Sequence, residues 1–159
     1  MSSTQAGNAS SAEVAPLSTI DMGLEVVTLP VSDVDRAKRF YQSLGWRLDI
    51  DLVVSDEIRN VQMTPPHSQC SIHFGKGITT MEPGSLEKLY LAVKDIDAAR
   101  EDLLSRGVEV SEVEERPKPP GFDLPGRSYF TYASFSDPDG NSWLLQEVTT
   151  RLPGREWED

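Results

Sequence analysis

A chain of 159 residues, 38% of them hydrophobic, can build one ordinary domain or two small fused modules around a real core. With 26 acidic against 15 basic residues the formal charge is −11, which argues against nucleic-acid phosphates or an anionic membrane surface as partners. No stretch approaches the roughly 20 apolar residues of a membrane span, no basic-then-apolar leader opens the chain, and Cys70 is the only cysteine; together these read as a cytoplasmic protein with no intrachain disulfide.

Residues 1–20, "MSSTQAGNASSAEVAPLSTI", are small and polar with Glu13 as the only charge. They bury too little apolar surface to offset chain entropy and are expected to form a disordered tail. Val27, Leu29 and Val31 then alternate as a strand with one buried face. Asp33 suits a helix N-cap and Gly45 the position after the helix that needs positive φ. Between them Val34, Ala37, Phe40, Tyr41 and Leu44 recur at helical spacing as a core stripe. Three strand-like stretches follow: "WRLDIDLVV", "IRNVQMT" and "CSIHFG". Alternation assigns Trp46, Leu48, Ile50 and Leu52 to one face. Cys70 reads as a small buried side chain rather than a nucleophile, and His67, in the turn "TPPHSQ", is expected to be exposed.

After the linker "GITTMEPGS" the same order returns. Leu89, Leu91 and Val93 alternate, Asp95 stands at the helix entry, Ile96, Ala99 and Leu103 form the stripe, and Gly107 follows. The strand-like stretches are now "VEVSEVEE", "SYFTYASF" and "NSWLLQEV". Sliding the sequence by 62 positions lays "LPVSDVDRAKRFYQSLG" on "LAVKDIDAAREDLLSRG" with seven identities in seventeen positions. The chain is therefore one domain over residues 22–150 made of two βαβββ modules, at about 22–78 and about 86–150, with residues 151–159 as a polar C-terminal tail from which Trp157 could dock. The excursion "RPKPPGFDLPGR" in module two is either a lid over a pocket or a surface connection.

The paired modules, the phrase "VVTLPVSDVDRAKRFYQSLG" and the late "FSDPDGNSWLLQEV" resemble the vicinal oxygen chelate superfamily, which includes glyoxalase I, extradiol dioxygenases, fosfomycin-modifying enzymes and bleomycin-binding resistance proteins. The resemblance implies an α+β fold: two tandem modules forming a curled, barrel-like mixed sheet around a cavity, with helices on the outside. It also implies four inward positions that hold His, Glu or Gln metal ligands in the metal-dependent members. Carried onto this chain, those positions are Val26 and Lys88 on the first strands and His73 and Leu144 on the last. Only His73 is a natural donor, and a protonated Lys88 repels a cation, so no cofactor is expected and a divalent metal is disfavoured. Glu147, the nearest alternative carboxylate, points away from the cavity by strand parity.

Alternation leaves Thr28, Ser71, Tyr90, Ser142 and Gln146 on the same inward faces as those four, an apolar cavity with a few polar anchors. Lys88 is either a fixing charge for a carboxylate, phenolate or enolate, or a solvated amine at the cavity mouth. His73 is either a proton carrier near neutral pH or a satisfied barrel histidine. Arg59 and Gln62, on a middle strand, are within reach of the pocket, with their face unassigned. Two functions follow: a metal-free protein that binds a small organic molecule, or an enzyme of isomerase, lyase or dioxygenase-like type, either metal-free through His73 and Lys88 or metal-dependent through non-standard ligands. A homodimer is expected, as is common in the resembling family, including modules exchanged between chains.

Overall fold

The computed structural model describes residues 14–157; most of the tail expected over residues 1–20 lies outside the described residues, and residues 14–20 form no helix or strand. The first module runs β1 (Val26–Thr28), α1 (Val34–Ser43), β2 (Arg47–Val53), β3 (Arg59–Thr64) and β4 (Ser71–Lys76). The second runs β5 (Leu89–Val93), α2 (Ile96–Ser105), β6 (Glu114–Glu115), β7 (Thr131–Ser136) and β8 (Ser142–Glu147). Each forms a four-stranded sheet, ordered β1-β4-β3-β2 and β5-β8-β7-β6, in which the first strand pairs parallel to the last and the other pairs are antiparallel.

The repeat signals act as their chemistry requires. Asp33 accepts from the Arg36 N–H and Asp95 from the Ala98 N–H, each satisfying a backbone donor of the first helical turn. Gly45 and Gly107 follow the helices at φ +82° and +84°, a region that costs other residues steric strain. Ala37 and Tyr41 of α1, and Ile96 and Leu103 of α2, are buried against the sheets.

Three expectations are corrected. In β2 the alternation breaks: Leu48 pairs with Met63, but Ile50 pairs with Gln62, because Asp49 is inserted as a bulge. Leu48 therefore shares the helix-covered side with Met63, while Ile50 and Leu52 lie on the opposite face with Gln62 and Asn60. The bulge is held by the Asp49 carboxylate, which accepts from the Thr64 hydroxyl and from Arg47 Nε. Secondly, among the described residues no strand of one sheet is hydrogen-bonded to a strand of the other, so the two sheets do not close into a single barrel. The expected "VEVSEVEE" strand also contracts to Glu114–Glu115. It is an edge strand rich in glutamate, a poor strand former whose like charges repel.

What unites the modules is a shared core on their helix-covered faces. Tyr41, Trp46, Met63 and Phe74 from module one and Phe135, Trp143 and Leu145 from module two form one buried cluster. Trp143 meets Trp46 edge to face at 5.1 Å between ring centroids. At its centre the Tyr41 hydroxyl donates to Asp137 Oδ2 at 2.9 Å and accepts from Trp143 Nε1 at 2.9 Å. Burial and the Asp137 carboxylate push the Tyr41 phenol far up, so it stays protonated and donating. Asp137 also receives the backbone N–H groups of Asp139, Gly140 and Asn141, and the Asn141 amide reaches across to the Pro30 carbonyl at 2.9 Å. Beside it the linker passes so close to the Asp139 carbonyl, at Gly84, that a Cβ would lie 2.0 Å from that oxygen.

Tyr41→Phe removes the hydroxyl that serves both buried bonds and leaves the Trp143 N–H without an acceptor. Urea denaturation should show a loss of about 1–3 kcal/mol with an unchanged slope; an unchanged midpoint would show that this knot does not hold the modules.

Candidate functional site: two open sheet faces

The faces turned away from the core carry the expected site residues. On the first sheet one row crosses the strands as Thr28, His73, Gln62 and Ile50, set by the pairing of Thr28 with His73, His73 with Gln62 and Gln62 with Ile50. Val26 and Ser71 begin the next row. Thr28 Oγ1 and His73 Nε2 lie 2.5 Å apart, and Ser71 Oγ is 2.7 Å from Thr64 Oγ1. Burial lowers the His73 pKa, so its ring is neutral at neutral pH and able to accept a proton. Asn60, paired with Leu52 and Gly75 on this face, keeps a buried Oδ1 without a hydrogen-bonding partner.

The middle-strand residues separate. Gln62 lies on the open face beside His73, whereas Arg59 lies opposite, bonded to Asp51 at 2.9 and 3.0 Å and to Asp35 at 2.9 Å. That network, joined by Lys38, holds the Asp51 carboxyl well below the usual carboxylate range. Glu147 is buried on the helix side, where it accepts from the Ile96 N–H and from Arg127. Burial and the nearby Glu25 carboxylate push the Cys70 thiol up, which agrees with an unreactive side chain. His67 is exposed.

On the second sheet Tyr90, Leu144 and Ser134 form the matching row, and Gln146 and Tyr132 the next. A groove of about 310 Å³ opens there, lined among others by Lys88, Arg116, Tyr132, Ser134, Ser142 and Leu144. Lys88 stands just before β5 rather than in it, at φ +57°, a left-handed conformation uncommon for a residue with a Cβ. Its N–H donates to Ser142 Oγ at 2.8 Å, which fixes the backbone at that point. Tyr90 is 56% exposed. Gln146 Nε2 donates to the Tyr129 carbonyl at 3.1 Å.

Two of these lining residues, Tyr132 and Ser134, were legible by parity with Leu144 and Gln146 once β7 is paired with β8. Arg116 was not, because it opens the Pro/Gly-rich excursion, where no periodicity applies. That excursion is pinned at its far end: Arg127 holds Glu147, and Phe122 packs edge-on to Phe130 at 4.7 Å. Beyond β8, Trp157 donates its N–H to the Val148 carbonyl, with the Arg151 guanidinium 4.3 Å from its ring centroid.

His73 and Lys88 are not brought together: His73 lies on the first sheet and takes no part in lining the groove that Lys88 borders. The four positions Val26, His73, Lys88 and Leu144 are thus split two and two, and they supply one nitrogen donor, one ammonium and two hydrocarbons. Such a set does not fit a divalent cation, which needs about three or four N, O or S donors. Among the described residues no group of three or more His, Cys, Asp or Glu side chains is placed to hold a metal ion. No helix among them is long and apolar enough to cross a membrane.

Tandem βαβββ modules, each a four-stranded sheet with a helix on one face, define a two-module α+β scaffold. A family model described as Glyoxalase/Bleomycin resistance protein/Dioxygenase superfamily matches residues 23–145, and the chain belongs to that superfamily. Among solved structures it is similar to TnmS3, an antibiotic binding protein from Streptomyces sp. CB03234, at 33% identity and TM-score 0.64, over 83% of this chain and 99% of that one. A glyoxalase/bleomycin resistance protein from the same Streptomyces strain is also 33% identical, with TM-score 0.61 over 78% of this chain and 99% of that one. A superfamily member from Sphaerobacter thermophilus DSM 20745 is 28% identical, with TM-score 0.63 over 80% and 98% of the two chains. A comparison with curated proteins returns no match.

The lowered His73 pKa has a signed consequence. Below the ordinary histidine value of 6.5 the unfolded chain takes up the proton first, so stability rises with pH from the lowered value up to 6.5 and levels off above it. Urea melts of the wild type and of His73→Gln between about pH 5 and 8 should differ by a curve of that shape. A pH-independent difference would show that the ring titrates normally.

Proposed function

We propose that this protein is a metal-free binding protein for a small organic molecule, held against the groove of the second sheet, and that it works as a homodimer. The observation that carries this reading is the open second-sheet face itself: a groove with an apolar floor and a few convergent polar groups, on a family scaffold where three of the four implied ligand positions carry no metal donor. TnmS3, at 33% identity, is an antibiotic binding protein, which favours a natural product of antibiotic type as the ligand. Fold alone would not justify that step.

The dimer is argued from what a single chain leaves uncovered. Ile50 and Leu52 on the first sheet face are 42% and 54% exposed, and Tyr90 on the second is 56% exposed. Setting the first face of one chain over the second face of its partner would cover both and close two equivalent cavities around a two-fold axis. It would also place one chain's His73 above the other's Lys88. That placement is what the enzymatic alternative needs, with His73 as proton carrier and Lys88 as anion-stabilising charge, and the neutral His73 ring favours keeping it.

Isothermal titration against a panel of natural-product antibiotics should give saturable binding at one site per chain, lost by at least about tenfold in Leu144→Asp, which puts a charge on the groove floor. A panel without a saturable member sinks the binding reading. Light scattering at micromolar concentration should return twice the 17.6 kDa chain mass, and a monomer would rule out the paired arrangement. If an identified ligand is turned over, full turnover by Lys88→Ala and His73→Ala would eliminate metal-free catalysis by these two residues.

A further inference from the structure

The groove has an electrostatic character opposite to that of the molecule. The chain carries −11 overall, yet the lining contains two cations, Lys88 and Arg116, and a single acid, Glu114. Arg116 is held by its surroundings: its Nε donates to Glu114 Oε1 at 3.3 Å and its guanidinium carbon lies 4.7 Å from the centroid of the Tyr132 ring. This cation–π contact sets the guanidinium beside the ring, and the terminal nitrogens make no hydrogen bond to a described residue. Lys88 is set differently. Its backbone is in the left-handed region, with its N–H tied to Ser142 Oγ, and its ammonium forms no ion pair with a described residue. A strained backbone at a groove-lining charge is an observation that points toward a ligand.

Resting on the reading of this groove as the ligand site, we propose that it selects a planar aromatic molecule bearing an acidic group, with Lys88 and Arg116 as the residues that read the anion. Leu144 supplies the apolar floor, and Tyr132 supplies an aromatic wall already flanked by the arginine. Lys88 contributes a point charge, and the free edge of the Arg116 fork can take a carboxylate, sulfonate or phenolate oxygen. The volume, about 310 Å³, lies at the lower end of the range of about 300–1,000 Å³ for small-molecule sites, which suits two or three rings rather than a long chain. Long-range repulsion from the acidic surface slows the approach of an anion, so discrimination comes from the local pair at short range.

Two fluorescent probes with nearly the same rings provide the test: 8-anilinonaphthalene-1-sulfonate, which is anionic, and N-phenyl-1-naphthylamine, which is neutral. The full chain should bind the sulfonate at least about tenfold more tightly than the neutral amine at the same salt concentration. Lys88→Gln and Arg116→Gln should each weaken the sulfonate by about fivefold or more and leave the amine unchanged, whereas Glu114→Gln should strengthen the sulfonate. Arg39→Gln removes one positive charge from the outer surface of α1 and should change neither, which separates local contacts from net charge. Leu144→Trp, filling the groove, should abolish both. Equal binding of the two probes, both lost in Leu144→Trp, leaves the groove as a ligand site and overturns its preference for anions. Sulfonate binding indifferent to both cation substitutions overturns the assignment of Lys88 and Arg116. If neither probe binds, or binding survives Leu144→Trp, the groove reading falls together with this one.

Discussion

Everything about this molecule's site follows from one buried polar knot between its modules. Tyr41, Asp137, Asn141 and Trp143 come from both halves, and each supplies a hydrogen bond that another of them needs. Buried polar groups are costly unless paired, so one relative placement of the halves satisfies them and a sliding or rotated placement does not. That placement turns the helix-covered faces toward the shared aromatic core. The opposite faces, which carry Thr28, His73, Lys88, Tyr90 and Leu144, are consequently left open in a single chain. To close them on each other within one chain would break the knot.

The chemistry of the open faces has diverged along with their roles. In the repeat, Val26 stands where Lys88 stands and Thr28 where Tyr90 stands. The first face is a hydrogen-bonded neutral surface, with Thr28 against His73 and Ser71 against Thr64. The second is cationic and aromatic, with Lys88, Arg116 and Tyr132 around an apolar floor. Placing an ammonium where a metal ligand would stand excludes a cation from that corner and invites an anion to it. Lys88 thus adds to the poor fit to a metal already made by Val26 and Leu144, and it also helps set the sign of the charge the groove offers.

Much of this was legible in the sequence, for identifiable reasons. The 62-residue repeat with its Asp caps and Gly stops fixed the element order, because capping and positive φ depend on residues only a few positions apart. Strand parity assigned Thr28, Ser71, His73, Ser142, Leu144 and Gln146 to the faces they occupy, since alternation is a property of the backbone. Parity failed in β2, where the residues alternate smoothly through "WRLDIDLVV" while the backbone inserts Asp49 as a bulge. Nothing local marks that insertion, because its cause is the Thr64 hydroxyl two strands' worth of chain away. Arg116 escaped for a related reason: it belongs to no periodic segment, and only the folded excursion brings it over Tyr132.

The orientation of the modules was illegible for a deeper reason. A repeat states what each half is and which face of each is apolar, but both faces of these sheets carry apolar residues: Phe74 and Leu145 on one side, Ile50, Leu52 and Leu144 on the other. Pattern alone cannot say which pair of faces meets within a chain. The decision rests on the segment just before β8, where Asp137 and Asn141 make hydrogen bonds across the modules to Tyr41 and Pro30. In the homodimer proposed above, a two-fold axis would set each neutral face against a cationic one, so two identical cavities would each be made of unlike halves. In that arrangement the pairing of faces becomes part of ligand selection, because neither face alone presents both a neutral imidazole and a fixed positive charge.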